Sequence, residues 1–166
     1  IRGHIRGGPG PQWGAVESDD DMVSIAVGGS IISGLGDLSG SIMSDENIGK
    51  VKIGGSVMGT AGVPVQISAV ADDNTPVAIG SVSIKGSAVF LNLLAGYDDD
   101  DPERGSAQLG KITVGGDWIA SNAVAGALRG GDGNFGTLDD MAIGGATGSR
   151  IASILVKGQA IWTGGG

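Results

Sequence analysis

Apolar and polar residues along this chain alternate in a phrase that returns several times. The phrase reads apolar, Gly, any, apolar, any, apolar, any, Gly, polar, apolar. It appears as Ile48-Gly49-Lys50-Val51-Lys52-Ile53-Gly54-Gly55-Ser56-Val57, as Ile79 to Ala88 (IGSVSIKGSA), and as Leu109 to Trp118 (LGKITVGGDW). An earlier copy runs from Met22 through Ile25, Val27 and Gly29 to Ile31, and further copies begin at Leu138 and Ile151. Ile1, Gly3, His4 and Ile5 fall on the slots of Ile53, Gly55, Ser56 and Val57, so the chain opens inside a repeat. With Ile1, Val27, Ile53, Ile84, Val114, Ile143 and Val156 as markers, the steps are 26, 26, 31, 30, 29 and 13 residues.

The apolar-any-apolar core of each copy has period two, which sets Val51 and Ile53 on one face of a strand and Lys50 and Lys52 on the other. Further strands are expected at Ser41-Ile42-Met43, Val65-Gln66-Ile67 and Leu91-Asn92-Leu93-Leu94. One strand per repeat cannot bury a face alone, but stacking equivalent strands in parallel gives a continuous core. A period of 26 to 31 residues accommodates one coil of three short strands with a variable loop. The sequence therefore predicts an all-β chain, a right-handed parallel β-helix (β-solenoid) of roughly five or six coils. Right-handedness follows from the general hand of parallel crossovers. The glycines at 3, 29, 55, 86, 116, 145 and 158 share one slot, which calls for a bend where a Cβ would clash or where φ is positive.

Composition agrees with this. Glycine supplies 34 of 166 residues and aromatics only six, with Val, Ile, Leu and Ala filling the apolar share. No every-third-residue glycine period exists, which excludes collagen. The length suits a single domain spanning residues 1–166. Eighteen acidic against ten basic residues give a net charge of −8, which disfavours nucleic acid as a partner. No apolar run reaches the roughly 20 residues of a membrane span. The absence of cysteine removes disulfides and thiolate metal ligands.

The runs IGKVKIGGSV, IGSVSIKGSA and LGKITVGGDW resemble the repeat of large bacterial secreted β-strand-repeat proteins, in the style of autotransporter passengers and filamentous adhesins. The resemblance runs from Met22 to Thr163 and specifies an architecture, not a chemistry. It implies an extracellular or cell-surface location, attachment through other segments, and a structural or adhesive role. On that reading the chain is a piece of a longer, filament-forming protein. Its expected partners are neighbouring coils or copies of the same protein end to end, and glycans or other cell-surface components.

Motifs that resemble catalytic or cofactor signatures do not hold together. Gly105 to Lys111 matches a phosphate-binding loop until Ile112, where a Ser or Thr should ligate magnesium. Gly131 to Gly136 spells GxGxxG but leads toward a strand-like run from Leu138, not a helix. His4, the single histidine, shares the polar slot of Ser30, Ser56, Ser87, Asp117 and Gln159. Trp118 falls on the apolar slot of Ile31 and Val57 and is expected in the core, while Trp13 and Trp162 lie near the ends.

The competing reading is a polysaccharide-binding or polysaccharide-degrading β-helix, a lyase or hydrolase, which needs converging carboxylates on an outer face. The outward slots of the best-defined strand read Ser24, Lys50, Ser81, Lys111, Asp140, Ser153 and Ala26, Lys52, Ser83, Thr113, Ala142, Leu155. One acid among twelve predicts no catalytic residue and no enzyme, and the lack of a threonine ladder argues against an ice-binding face.

Acidic clusters precede most copies of the repeat. They are Glu17 with Asp19, Asp20 and Asp21; Asp45 and Glu46; Asp72 and Asp73; Asp98, Asp99, Asp100 and Asp101 with Glu103; and Asp132. Solvated loops that block edge pairing are the expected role. Calcium is the one cofactor these residues suggest, through Asp98 to Asp101 and then Asp19 to Asp21, because stacked carboxylates repel unless a hard cation bridges them.

Overall fold

A computed structural model describes residues 1–71, 76–97, 106–133, 135–142 and 148–162. Among these residues the chain is all β, without helix. The first rung consists of β1 (Ile5–Arg6), β2 (Val16–Ser18) and β3 (Ile25–Val27), and the second of β4 (Ile31–Ile32), β5 (Ile42–Ser44) and β6 (Ile48–Ile53). The third is β7 (Val57–Met58), β8 (Val65–Ala69) and β9 (Ile79–Ile84), and the fourth β10 (Ala88–Val89), β11 (Leu91–Ala95) and β12 (Gln108–Val114). After β13 (Trp118–Ile119) and β14 (Asn122–Ala125) the chain detours through β15 (Ala127–Leu128) and β16 (Met141–Ala142). It then resumes with β17 (Arg150–Val156) and β18 (Ala160–Ile161).

Every third strand stacks on its equivalent in parallel, building three sheets. Sheet A runs β1-β4-β7-β10-β13-β18, sheet B β2-β5-β8-β11-β14, and sheet C β3-β6-β9-β12-β17. β15 and β16 form a separate antiparallel pair. The result is a parallel β-solenoid of about four turns, slightly short of the coil count expected from the markers. The shortfall lies at the end. Val114 pairs directly with Val156 and Lys111 with Ser153, so the expected steps of 29 and 13 residues are one turn of 42 residues. Asp140 therefore does not stand between Lys111 and Ser153 in the outer column. Leu138 does not open a rung either: it is fully exposed, in the detour between β15 and β16. Ile143 and Gly145 lie outside the described residues.

The period-two pattern is realised in the core. Val51 and Ile53 pair with Val82 and Ile84, which pair with Ile112 and Val114, and all six are buried. Sheet B adds Ile42, Ile67 and Leu93 in register, and sheet A adds Ile31, Val57 and Ala88. A second, smaller cluster packs Leu94, Tyr97 and Phe135 with Val124 outside sheet B, Tyr97 and Phe135 meeting edge to face at 5.4 Å. The detour after β14 thus spends its one buried aromatic on anchoring itself to the side of the solenoid.

The five turns from sheet C to sheet A each contain three residues, Gly28-Gly29-Ser30, Gly54-Gly55-Ser56, Lys85-Gly86-Ser87, Gly115-Gly116-Asp117 and Lys157-Gly158-Gln159. None of their glycines has positive φ. Close approach is what selects them. A Cβ on Gly55 would land on the Ser30 hydroxyl and 3.0 Å from the Gly29 backbone, and a Cβ on Gly86 or Gly116 would strike Ser56 or Ser87.

Candidate functional site

The polar residue beside that glycine forms a ladder along the rod. The backbone N–H of Ser30 donates to His4 Nδ1 at 2.9 Å, Ser56 to Ser30 Oγ at 3.1 Å, and Ser87 to Ser56 Oγ at 3.1 Å. Asp117 donates to Ser87 Oγ at 3.0 Å, and Gln159 to Asp117 Oδ1 at 2.8 Å. In parallel, the N–H groups of Gly29, Gly55, Gly86, Gly116 and Gly158 donate to the carbonyls of Gly3, Gly29, Gly55, Gly86 and Gly116 at 2.8–3.0 Å. Histidine, serine and aspartate all serve in this slot because each offers a short-range acceptor. His4 is thereby a structural acceptor through Nδ1.

The ladder has a direction: turn N–H groups always donate toward the preceding rung. Removing one acceptor should therefore cost more than one ordinary hydrogen bond. Ser56→Ala leaves the Ser87 N–H without its partner and is expected to destabilise the fold by about 1–3 kcal/mol. The denaturant midpoint should fall at unchanged slope; an unchanged midpoint would show that the ladder contributes nothing.

The corner between sheets B and C uses the same device. Asp21 Oδ1 accepts from the Asn47 backbone N–H at 3.2 Å and from Asn47 Nδ2 at 3.0 Å, and the Asp20 carbonyl accepts the hydroxyls of Ser18 and Ser44. Of the calcium candidates, Asp21 therefore serves to dock the next rung, and Asp19 and Asp20 are exposed beside it. Asp98, Asp99, Asp100 and Asp101 lie outside the described residues. Among the described residues no three His, Asp or Glu side chains are grouped to hold a metal ion.

The phosphate-loop look-alike is strand: Gln108 to Lys111 belong to β12, and Lys111 points to solvent. In the GxGxxG look-alike, the N–H groups of Gly136 and Thr137 donate to Asp140 Oδ2. Amides that face a carboxylate are not available to a pyrophosphate. Asp139 in the same loop is held below the ordinary carboxylate value, first by the Thr137 hydroxyl at 2.7 Å and then by the Asp132 N–H. Trp118 occupies the expected inward slot opposite Ala88 and is partly buried against the core, its Nε1 donating to the Ser121 carbonyl at 2.8 Å. Trp13 and Trp162 are exposed.

One surface remains a candidate for work beyond architecture, the outer face of sheet C, where the outward columns are Ser24, Lys50, Ser81, Lys111, Ser153 and Ala26, Lys52, Ser83, Thr113, Leu155. Sequence reasoning located the polar slot and these columns. It missed that the slot is a hydrogen-bonded ladder, because only the coordinates show which rung supplies each acceptor. Comparison with protein-family models, with curated proteins and with solved structures finds no match to this chain.

Proposed function

We propose that this protein is a structural or adhesive scaffold of the cell exterior, a β-solenoid that stacks end to end and carries no catalysis. The observation that carries the reading is the stack itself, three parallel sheets whose turn N–H groups all donate toward the preceding rung. At the first rung, Ile1, Val16, Met22 and Ile25 line an open recess, although their equivalents one rung further on are buried. At the last rung, Ile151 and Ile154 occupy the slots of the buried Leu109 and Ile112 and are 36 % and 46 % exposed.

The polarity of the ladder supports head-to-tail contact. The first rung offers the N–H groups of Gly3 and His4, and the last offers the Gly158 carbonyl and the Gln159 side chain. A contact between unlike ends does not close on itself and generates a filament. Gly3 is the informative residue. It holds the slot in which every later glycine is pressed against a polar side chain, yet a Cβ there would meet nothing within 4 Å. The export and surface location of the scaffold rest on the resemblance of its repeat to secreted β-strand-repeat proteins. The lack of a carboxylate on the outer face of sheet C, among the described residues, favours a scaffold over polysaccharide cleavage.

Sedimentation velocity across a concentration series tests this. The wild-type chain should self-associate. Gly3→Val should remain monomeric with an unchanged fold, because the new side chain touches nothing within its own chain. Stacking would bring Arg2 beside Lys157, so salt should strengthen assembly by screening that pair. A wild-type chain that is monomeric throughout, or a Gly3→Val variant that assembles equally well, would contradict the reading.

A further inference from the structure

We infer that the outer face of sheet C is a binding surface for an extended anionic polysaccharide. This rests on the adhesive-scaffold reading and names its partner. All five lysines of the chain belong to this sheet or to the turns leaving it: Lys50, Lys52 and Lys111 on the strands, Lys85 and Lys157 on the turns, with Arg150 on the last strand. All six are exposed. No Asp or Glu occupies an outward position of β3, β6, β9, β12 or β17, although the chain as a whole carries −8. Among the described residues the strands of this face carry three of the five lysines and no carboxylate.

The register fixes the spacing. Lys50 stacks on Ser81, which stacks on Lys111, so these two lysines stand two strands apart, about 10 Å. Lys52 lies two residues along the same strand from Lys50, about 7 Å away. Hydroxyls fill the positions between them: Ser81, Ser83, Thr113 and Ser153. Gly49, Gly80 and Gly110 contribute no side chain, and a Cβ at Gly80 or Gly110 would strike the carbonyl of the glycine on the preceding rung. The face is therefore shallow, cationic and hydroxyl-lined, with a repeat set by the strand spacing.

Such a surface suits a long polymer with regularly spaced carboxylates or sulfates and many hydroxyls. It meets the lysines of β6 and β12 two strands apart, with hydroxyls between, and needs no pocket. Lysine ammonium groups interact with those anions as point charges, and the neighbouring hydroxyls donate to sugar oxygens. Single-stranded nucleic acid fits less well, because the five strands carry no aromatic side chain on which bases could stack. The surrounding negative charge of the rod also repels a polyanion that strays from this face, which confers directionality.

The test uses the full chain, with heparin and polygalacturonate as probes, dextran as neutral control and single-stranded DNA as competing polyanion. K50Q/K52Q/K111Q removes three charges, giving −11. R6E/G62E also reaches −11, but on exposed positions away from sheet C. The wild type should bind both anionic glycans in a salt-sensitive manner and ignore dextran. The lysine variant should lose tenfold or more in affinity, and the charge-matched control should stay within twofold. No binding to either anionic glycan, an equal loss in both variants, or tighter binding to the DNA would overturn the proposal. Sedimentation of the same samples separates it from the scaffold reading: chains that stack without binding glycan defeat this inference alone, and chains that bind glycan without stacking defeat the other.

Discussion

Gly55→Val is expected to be among the most damaging single substitutions in this protein. Gly55 sits in a central turn, and a Cβ there would overlap the Ser30 hydroxyl and stand 3.0 Å from the Gly29 backbone. The Ser30 hydroxyl can turn away only by giving up its bond from the Ser56 N–H, and the Gly29 backbone must shift within its rung, which strains the bond from the Gly55 N–H to its carbonyl. Overpacking of about 1–3 kcal/mol adds to an unpaired N–H of similar cost, about 1–3 kcal/mol. For a chain of this length a combined loss of about 4 kcal/mol lowers the melting temperature by roughly 8–16 °C. Gly3→Val is the matched control, identical in chemistry and slot but with open space beneath. Thermal melts at a dilution where both are monomeric should show a large drop for the first and little for the second. Equal melting of Gly55→Val and wild type would mean that close approach does not explain the glycine slot.

The second large effect concerns the core and its dependence on rung. Ile84 is buried at 1 % exposure between Ile53 and Val114, with a rung on either side. Truncation to alanine removes three carbons from a site that neighbouring rungs prevent from collapsing, so Ile84→Ala should cost about 2–5 kcal/mol. Ile154 has the same inward orientation but stands on the last rung of sheet C, 46 % exposed. Ile154→Ala should cost less than about 1 kcal/mol in the monomer, since the removed surface is already largely in water. In a solenoid each rung contacts only its neighbours, so this gradient from centre to end is built into the architecture. Urea unfolding of the two variants distinguishes it from a fold whose core closes over both ends, in which the two losses would be similar.

Why the sequence disclosed the fold and not the site can be argued from particular residues. Val51-Lys52-Ile53 and its copies alternate with period two and recur at near-constant spacing, and stacking such strands is the arrangement that buries all of them. The register from Val27 to Val114 was legible for that reason, and sheet C pairs as the repeat aligned it. Ile143 misled because the apolar-Gly pattern around Leu138 imitates a repeat. That stretch instead belongs to a detour, and the true successor of Val114 is Val156. A 42-residue turn is invisible to a reading that expects 26 to 31. His4, Ser30, Ser56, Ser87 and Asp117 were recognisable as one slot but not as a ladder, since their chemical likeness is only that each accepts a hydrogen bond. The lysine face was hidden by distance along the chain. Lys50 and Lys111 are 61 residues apart and meet on one surface only because two turns return the chain to the same sheet.

The central claim is that this chain is a unit of an end-to-end stack. Electron cryomicroscopy of the wild type at high concentration tests it most directly. The account predicts rods in which sheet A continues from β18 to β1 of the next copy at the strand spacing of about 4.8 Å, while sheets B and C each skip one rung at the junction. At the junction Gly3 should rest over the Gln159 side chain of the neighbouring copy, and rods should be absent from Gly3→Val. Discrete particles of single-chain length at every concentration, or rods joined side by side with both ends exposed, would contradict it.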